Sequence, residues 1–304
     1  MSSALIPDVR ERRQDMTFDS VVSLIGEAEK TGLPLWECIM RYSADETGAD
    51  VEQVFDEMRR RLDAMRSADA SYDPNQLSKS RLVGGAAEKM RIQYESGKSI
   101  CGDFIGRILA GALRMGECNA CMHRIVAAPT AGSCGVIPAV LLPYAEKYKV
   151  SDDELVKALF ITAGFGAVLA SRASISGAEA GCQAEVGSAS AMAAAALVYL
   201  HGGTNEQMSS AVAIALKNLM GLACDPVAGL VEVPCVKRNA IGAMNAVTAA
   251  ELALAGITSA IPVDEVIDAM REVGDMMPNA LKETGMGGVA ASKTGREFKK
   301  NFFK

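Results

Sequence analysis

The chain has 304 residues, enough for one large domain or a domain and a half, and 49% of them are apolar, so a sizeable core is available. Its 37 Asp and Glu outnumber 31 Lys and Arg, and the net charge of −6 argues against a nucleic-acid partner, which needs a basic surface. Eight cysteines without a visible secretory signal point to a reducing, cytoplasmic setting, where a disulfide framework is excluded and metal ligation, catalysis or burial remain.

Taken in chain order, the basic stretches at Arg10–Arg13 and from Arg59 alternate with acids and read as solvated helix faces. Asp19 or Ser20 is placed to cap a helix through VVSLIGEAEK, which Gly32-Leu33-Pro34 ends. Helices over Leu35–Tyr42 and Val51–Met65 follow, the second with Val51, Val54, Phe55, Met58, Leu62 and Met65 at helical spacing. The polar run SADASYDPNQLSKS, residues 67–80, reads as a linker, so residues 1–75 are expected to form an N-terminal helical region and 76–304 the main domain.

Beyond it the composition shifts to Ala, Gly, Met and Val, with almost no alternating strand pattern. Helices are expected over 103–114, 117–128, 137–148, 152–171, 185–201, 205–220, 239–256, 263–273 and 278–283. The fold class is all-α: a compact multi-helix domain with one or two buried central helices, its Gly/Ser/Pro-rich loops carrying any site. The longest apolar stretches, 158–170 and 186–200, fall short of the roughly 18 residues of a membrane span and read as buried helices.

Three stretches could do chemistry. Cys118 and Cys121, with His123 nearby and Cys134 beyond, form a CxxC that is either a metal half-site, a redox pair or ordinary helix thiols. The loop PTAGSCG places Thr130, Gly132, Ser133 and Gly135 ahead of an apolar helix, where free N–H groups and hydroxyls suit a small carboxylate; a merely capped helix is the alternative. Cys182, Cys224 and Cys235 each sit at a Gly or Pro turn beside polar residues such as Gln183, Glu185, Asp225 and Lys237. Their spacing, with 41 and then 10 residues between them, is neither a zinc knuckle nor a ferredoxin run. Three thiolates can hold three corners of an iron–sulfur cube and leave its fourth iron open, or the three can be unrelated buried thiols. His201 precedes Gly-Gly at a helix end, where a cation is favoured. No Ser/His/Asp triad and no paired carboxylates stand out.

The blocks PTAGSCGVIPAVL (129–141), SISGAEAGCQAEVGSASAMAAAAL (174–197), LKNLMGLACDPVAGLVEVPCVKRNAIGAMNAV (216–247) and ALAGITSAIPVDEVIDAM (253–270), with LKETGMGGVAASKTGRE near the end, resemble the α chain of the iron–sulfur L-serine dehydratases (L-serine deaminases). The resemblance covers most of residues 80–300. It implies an all-helical catalytic domain in which Cys182, Cys224 and Cys235 hold a [4Fe–4S] cluster, with no pyridoxal phosphate. It also implies conversion of L-serine to pyruvate and ammonia, within amino-acid degradation and gluconeogenesis. Nothing here matches the Ser-Ser-His-Thr α/β domain of single-chain members, which implies a separate β chain. The terminal cysteine of some members is replaced by Asn-Phe-Phe-Lys. On this reading Thr130, Gly132, Ser133 and Gly135 bind the substrate carboxylate, Arg238 and Asn239 orient the site, and Lys237 or Lys217 is a candidate base. Cys118, Cys121 and Cys134 stay outside the pattern. A related cluster lyase such as a cysteine desulfidase, or a non-catalytic thiol-rich subunit that binds zinc through Cys118, Cys121 and Cys134, are the alternatives.

Overall fold

The structure is a computed structural model that describes residues 18–304. Arg10–Arg13 and the extreme N-terminal sequence lie outside the described residues. Among the described residues there are helices, turns and one isolated backbone bridge, but no strand, so the fold is all-α.

The first three helices follow from their end signals. α1 (Val21–Thr31) starts where Ser20 Oγ accepts the N–H of Ser23 at 3.0 Å, and stops at Gly32, whose φ of 70° is left-handed. α2 (Leu35–Thr47) ends on Gly48 in the same way. α3 (Val51–Ala70) opens with a reciprocal cap between Asp50 and Gln53 and runs five residues past Met65, so the expected linker begins within it. The segment that follows is not loose: Ser78 and Ser80 are buried, and both hydroxyls donate to the buried carboxylate of Glu232.

α4 (Ala86–Glu95) has no counterpart in the expected helices, because only Ala87 and Tyr94 of its ten residues are buried and no apolar stripe marks it. Its start is capped from elsewhere. Buried Glu117 accepts the N–H groups of Ala86 and Ala87 at 2.7 and 3.2 Å, and the Tyr72 hydroxyl at 2.8 Å. A carboxylate at a helix N-terminus is favourably placed.

α5 (Gly102–Ala120) is one helix where two were expected. Gly116 does not break it: a Cβ there would stand 3.2 Å from the Cα of Val236, so the residue is small because another helix passes close. The helix ends at Cys121, and residues 123–128 are not helical, contrary to the expected span of 117–128.

α6 (Val136–Tyr148) and α7 (Asp152–Arg172) lead into the short α8 (Gly177–Ala180), a π-helical turn over Gln183–Gly187, and α9 (Ser188–Leu200). α10 (Asn205–Leu219), α11 (Cys235–Leu254), α12 (Val263–Met276) and α13 (Lys293–Phe302) complete the order. The expected helix over 278–283 is only a single turn, Asn279–Leu281, and α13 lies in the basic tail where no helix was expected.

α9 is the central helix. Every residue from Ser188 to Val198 is buried, and α6, α7, α10 and α11 pack around it. Alanine at 189, 191 and 193–196 keeps most of its surface slim, which allows four helices to pack closely around it. α7 is long and apolar enough to cross a membrane once its flanks are counted, but most of that stretch is buried inside the protein, with Leu155, Phe160, Ile161, Phe165 and Leu169 in the core. The same core takes in Leu24 of α1 and Leu62 of α3, so the N-terminal helices pack on the centre of the molecule.

Candidate functional site

Cys182, Cys224 and Cys235 come from three different local structures. Cys182 follows Gly181, whose φ is 76°, and caps the π-helical turn. Cys224 lies in the loop between α10 and α11, where its N–H donates to Leu281 O at 2.8 Å and its carbonyl accepts from Glu283 N at 2.7 Å. Cys235 opens α11, directly after Pro234. All three are buried, and Cys182 and Cys224 share a small apolar cluster with Val186, apart from the main core.

The three thiols lie within electrostatic reach of one another. Burial pushes Cys182 up to about 11, against the lowering effect of the Arg238 guanidinium beside it. Burial pushes Cys235 up to about 12, with Cys182 and Glu185 adding to the rise. Cys224 is raised by burial first and then by the charges of Glu185, Cys182, Glu283 and Cys235. Such a set resists ionisation until a positive centre takes the thiolates. Among the described residues no three His, Cys, Asp or Glu side chains are gathered tightly enough for a single metal ion. The three buried thiols are close enough to raise one another, and three cysteines are a donor set that suits an iron–sulfur cube.

Arg238, one turn into α11, joins the Cys224 loop to the Cys235 helix. Its Nη1 donates to Ala223 O at 2.7 Å, and its Nη2 pairs with Asp225 Oδ1 at 2.9 Å. The other oxygen of Asp225 accepts the N–H of Val289 at 2.6 Å, which fastens the Gly-rich segment after residue 283 to the same loop. Both groups are occupied in holding the loops.

The loop from Thr130 to Gly135 stands against this assembly. It begins after the cis bond between Ala128 and Pro129 and turns through Ala131–Ser133, with Thr130 and Ser133 capping each other. Ser133 is fully buried, and its hydroxyl lies 3.1 Å from Thr130 Oγ1. Asn239, also buried, uses its whole amide here: Oδ1 accepts from Gly135 N at 2.8 Å, and Nδ2 donates to Gly132 O at 2.8 Å and Cys235 O at 3.0 Å. Thr130, Gly132, Ser133, Gly135, Arg238, Asn239 and the three cysteines are therefore brought together. Lys217 and Lys237 are not: the Lys217 amine donates to Ser259 Oγ at 2.9 Å on an exposed face, and Lys237 is exposed.

Glu185 was read from sequence only as a polar neighbour of Cys182. It lies between the loop and the thiols. Thr130 Oγ1 donates to its Oε1 at 2.7 Å, and the Cys224 thiol donates to its Oε2 at 3.7 Å. Burial holds its carboxyl above the usual range, with the charge of Glu283 adding and the Thr130 bond opposing. The available signal was a lone acid inside GCQAEVGSASAMAAAAL, where every other residue is small, apolar or neutral. Gln183 is structural: its amide accepts from Gly221 N at 2.8 Å and donates to Met270 O at 2.9 Å.

The CxxC is not assembled as a metal set. Cys118 donates to Ala68 O and Cys134 to Met115 O, both buried, while Cys121 is half-buried at the end of α5. Burial pushes Cys118 up to about 11 and Cys134 up to about 12. His123 is engaged at both ring nitrogens, by Ser71 Oγ at 3.1 Å and Gln76 Oε1 at 2.7 Å.

A family model described as serine dehydratase alpha chain matches residues 30–290. The chain is 49% identical over 286 residues to the probable L-serine dehydratase, alpha chain, of Bacillus subtilis (strain 168), covering 94% of this chain and 95% of that one. It is 42% identical over 282 residues to the L-serine dehydratase, alpha chain, of Peptoniphilus asaccharolyticus, covering 92% and 97%. L-serine dehydratase 2 of Escherichia coli (strain K12) is 37% identical over 281 residues, which is 90% of this chain but 61% of that protein. With a match over this much of its length and near-complete alignment to two relatives, the chain belongs to the serine dehydratase alpha chain family.

Proposed function

We propose that this chain is the catalytic α subunit of an L-serine dehydratase, a cytoplasmic ammonia-lyase that converts L-serine to pyruvate and ammonia, with Cys182, Cys224 and Cys235 holding a [4Fe–4S] cluster. The observation that carries the reading is the union, through Asn239, of a cysteine-bearing helix with the Thr130–Gly135 loop. The names of the two near-full-length relatives supply the substrate.

The net reaction removes the α-proton and the β-hydroxyl of L-serine as water, giving 2-aminoacrylate, which tautomerises to the imine and hydrolyses to pyruvate and ammonium. A cluster bound to three thiolates supplies an iron with a free position, a Lewis acid for departure of the hydroxyl. The protein supplies placement. The Thr130–Gly135 loop takes the substrate carboxylate on the N–H groups its turn leaves over, those of Ser133, Cys134 and Gly135 being bonded to Thr130 O, Ala131 O and Asn239 Oδ1, with Ser133 and Thr130 fixing the turn. Asn239 and Arg238 hold the loops in register. Neither Lys217 nor Lys237 is assigned the proton transfer, since one amine is bonded to Ser259 and the other side chain is exposed.

The longer relative, of which this chain spans 61%, and the alpha-chain designation of the others support a separate β subunit that completes the enzyme. The reading is tested by assaying pyruvate from L-serine, L-threonine and L-cysteine with the anaerobically purified chain and its β subunit. Turnover of L-serine is the expected result. Release of sulfide from L-cysteine with no action on L-serine would replace it with a desulfidase.

A further inference from the structure

The site as described binds a carboxylate and a hydroxyl, and neither feature distinguishes an amino acid from a hydroxy acid. We propose that Glu185 receives the α-ammonium group of the substrate and so makes the enzyme specific for an amino acid. This rests on the reading of the site as an L-serine dehydratase centre.

The geometry carries it. Glu185 bridges the two halves of the site, with one oxygen on Thr130 Oγ1 at 2.7 Å and the other facing the Cys224 sulfur at 3.7 Å. A substrate held by the loop at one end and directed at the thiols at the other must pass this carboxylate. Oε1 is occupied by a good donor. Oε2 has only a long contact with sulfur, and a ligating thiolate donates no hydrogen at all.

Two glycines pack closely against these oxygens, with no room there for a side chain. A Cβ on Gly177 would lie 2.5 Å from Oε2 and 2.9 Å from Cys224 Sγ, and a Cβ on Gly132 would lie 3.1 Å from Oε1. Any side chain at 177 would cover the oxygen that lacks a strong partner.

The other acids nearby are committed or peripheral. Asp225 is held by Arg238 and Val289, Glu232 by Ser78 and Ser80, and Glu117 by Tyr72, Ala86 and Ala87. Glu283 is exposed. The guanidinium nearest this centre, that of Arg238, is committed to Ala223 O and Asp225.

The test uses the assembled, iron-loaded enzyme and two competitive ligands that differ only in the ammonium group, L-alanine and propionate. Equilibrium binding of each is measured together with iron content. In the unmodified enzyme L-alanine should bind about ten- to a hundredfold more tightly than propionate, the range for a hydrogen bond between charged groups. Glu185→Gln should bring the ratio close to one with iron unchanged, and Glu185→Asp should recover part of it. A ratio retained in Glu185→Gln, or loss of iron along with it, would overturn the proposal, the second outcome making Glu185 a support for the cysteine loops. An unmodified enzyme with no turnover of L-serine would overturn the underlying reading and this inference together, whereas a serine-active enzyme with an unaltered ratio sinks this inference alone.

Discussion

The side-chain carbonyl of Asn239 accepts the backbone N–H of Gly135 at 2.8 Å, across 104 residues of sequence. Asn239 is one helical turn past Cys235 and also donates to the carbonyl of that residue. The helix that delivers a thiol therefore also sets the height of the Thr130–Gly135 loop. A shift in one moves the other, which is a useful property where a substrate must touch both.

Asn239→Ala would strand Gly135 N, Gly132 O and Cys235 O in a buried place. We expect a loss of about 1–3 kcal/mol of stability in urea unfolding and a raised KM for L-serine. Asn239→Asp keeps the acceptor but sets a carboxylate against two carbonyls, so it should be at least as damaging. A variant with unchanged stability and unchanged KM would remove the coupling role.

Ser133→Ala deletes the hydroxyl that pairs with Thr130 in a fully buried turn. If the loop binds the substrate carboxylate, KM should rise while kcat changes less. Steady-state kinetics that show an unchanged KM would leave Ser133 as a cap and nothing more.

Glu232 lies three residues before Cys235 and takes hydroxyl donors from Ser78 and Ser80. Removing both donors in Ser78→Ala/Ser80→Ala leaves a buried carboxylate without them, at a cost of about 1–3 kcal/mol. The Cys235 thiol of the iron-free protein should then react faster with a thiol reagent, because the turn that carries it has lost its tie. Equal reactivity would show that the tie does not position Cys235.

Much of the helical layout was legible because its signals are local. Ser20 and Gly32 bound α1 where cap chemistry places them, and α3 starts at Val51, where its apolar spacing begins. The three cysteines were legible as a set through the family blocks, while their spacing alone left burial as an alternative. The misses have non-local causes. α4 depends on Glu117 from another helix, Gly116 is small because Val236 passes beside it, and the apparent linker at Ser78 and Ser80 is fixed by a carboxylate 152 residues or more away. Glu185 stood in plain sight as a lone acid, but only the fold brings Thr130 and Cys224 to its two oxygens.

The buried thiols outside the site provide a control. Cys118→Ala and Cys134→Ala each remove a sulfur bonded weakly to a backbone carbonyl, so stability should fall by about 1 kcal/mol or more while iron content stays unchanged. Cys182→Ser, Cys224→Ser or Cys235→Ser should each remove iron and turnover together. Iron lost from the first pair and retained in the second set would reverse the assignment of ligands.

The most direct measurement is iron and acid-labile sulfide, with the visible absorbance spectrum, on the anaerobically purified chain. A cube held by Cys182, Cys224 and Cys235 requires about four iron and four sulfide per chain, lost on exposure to air along with the absorbance. Neither element, even after anaerobic reconstitution, would contradict the cluster and leave three buried thiols beside the Thr130–Gly135 loop.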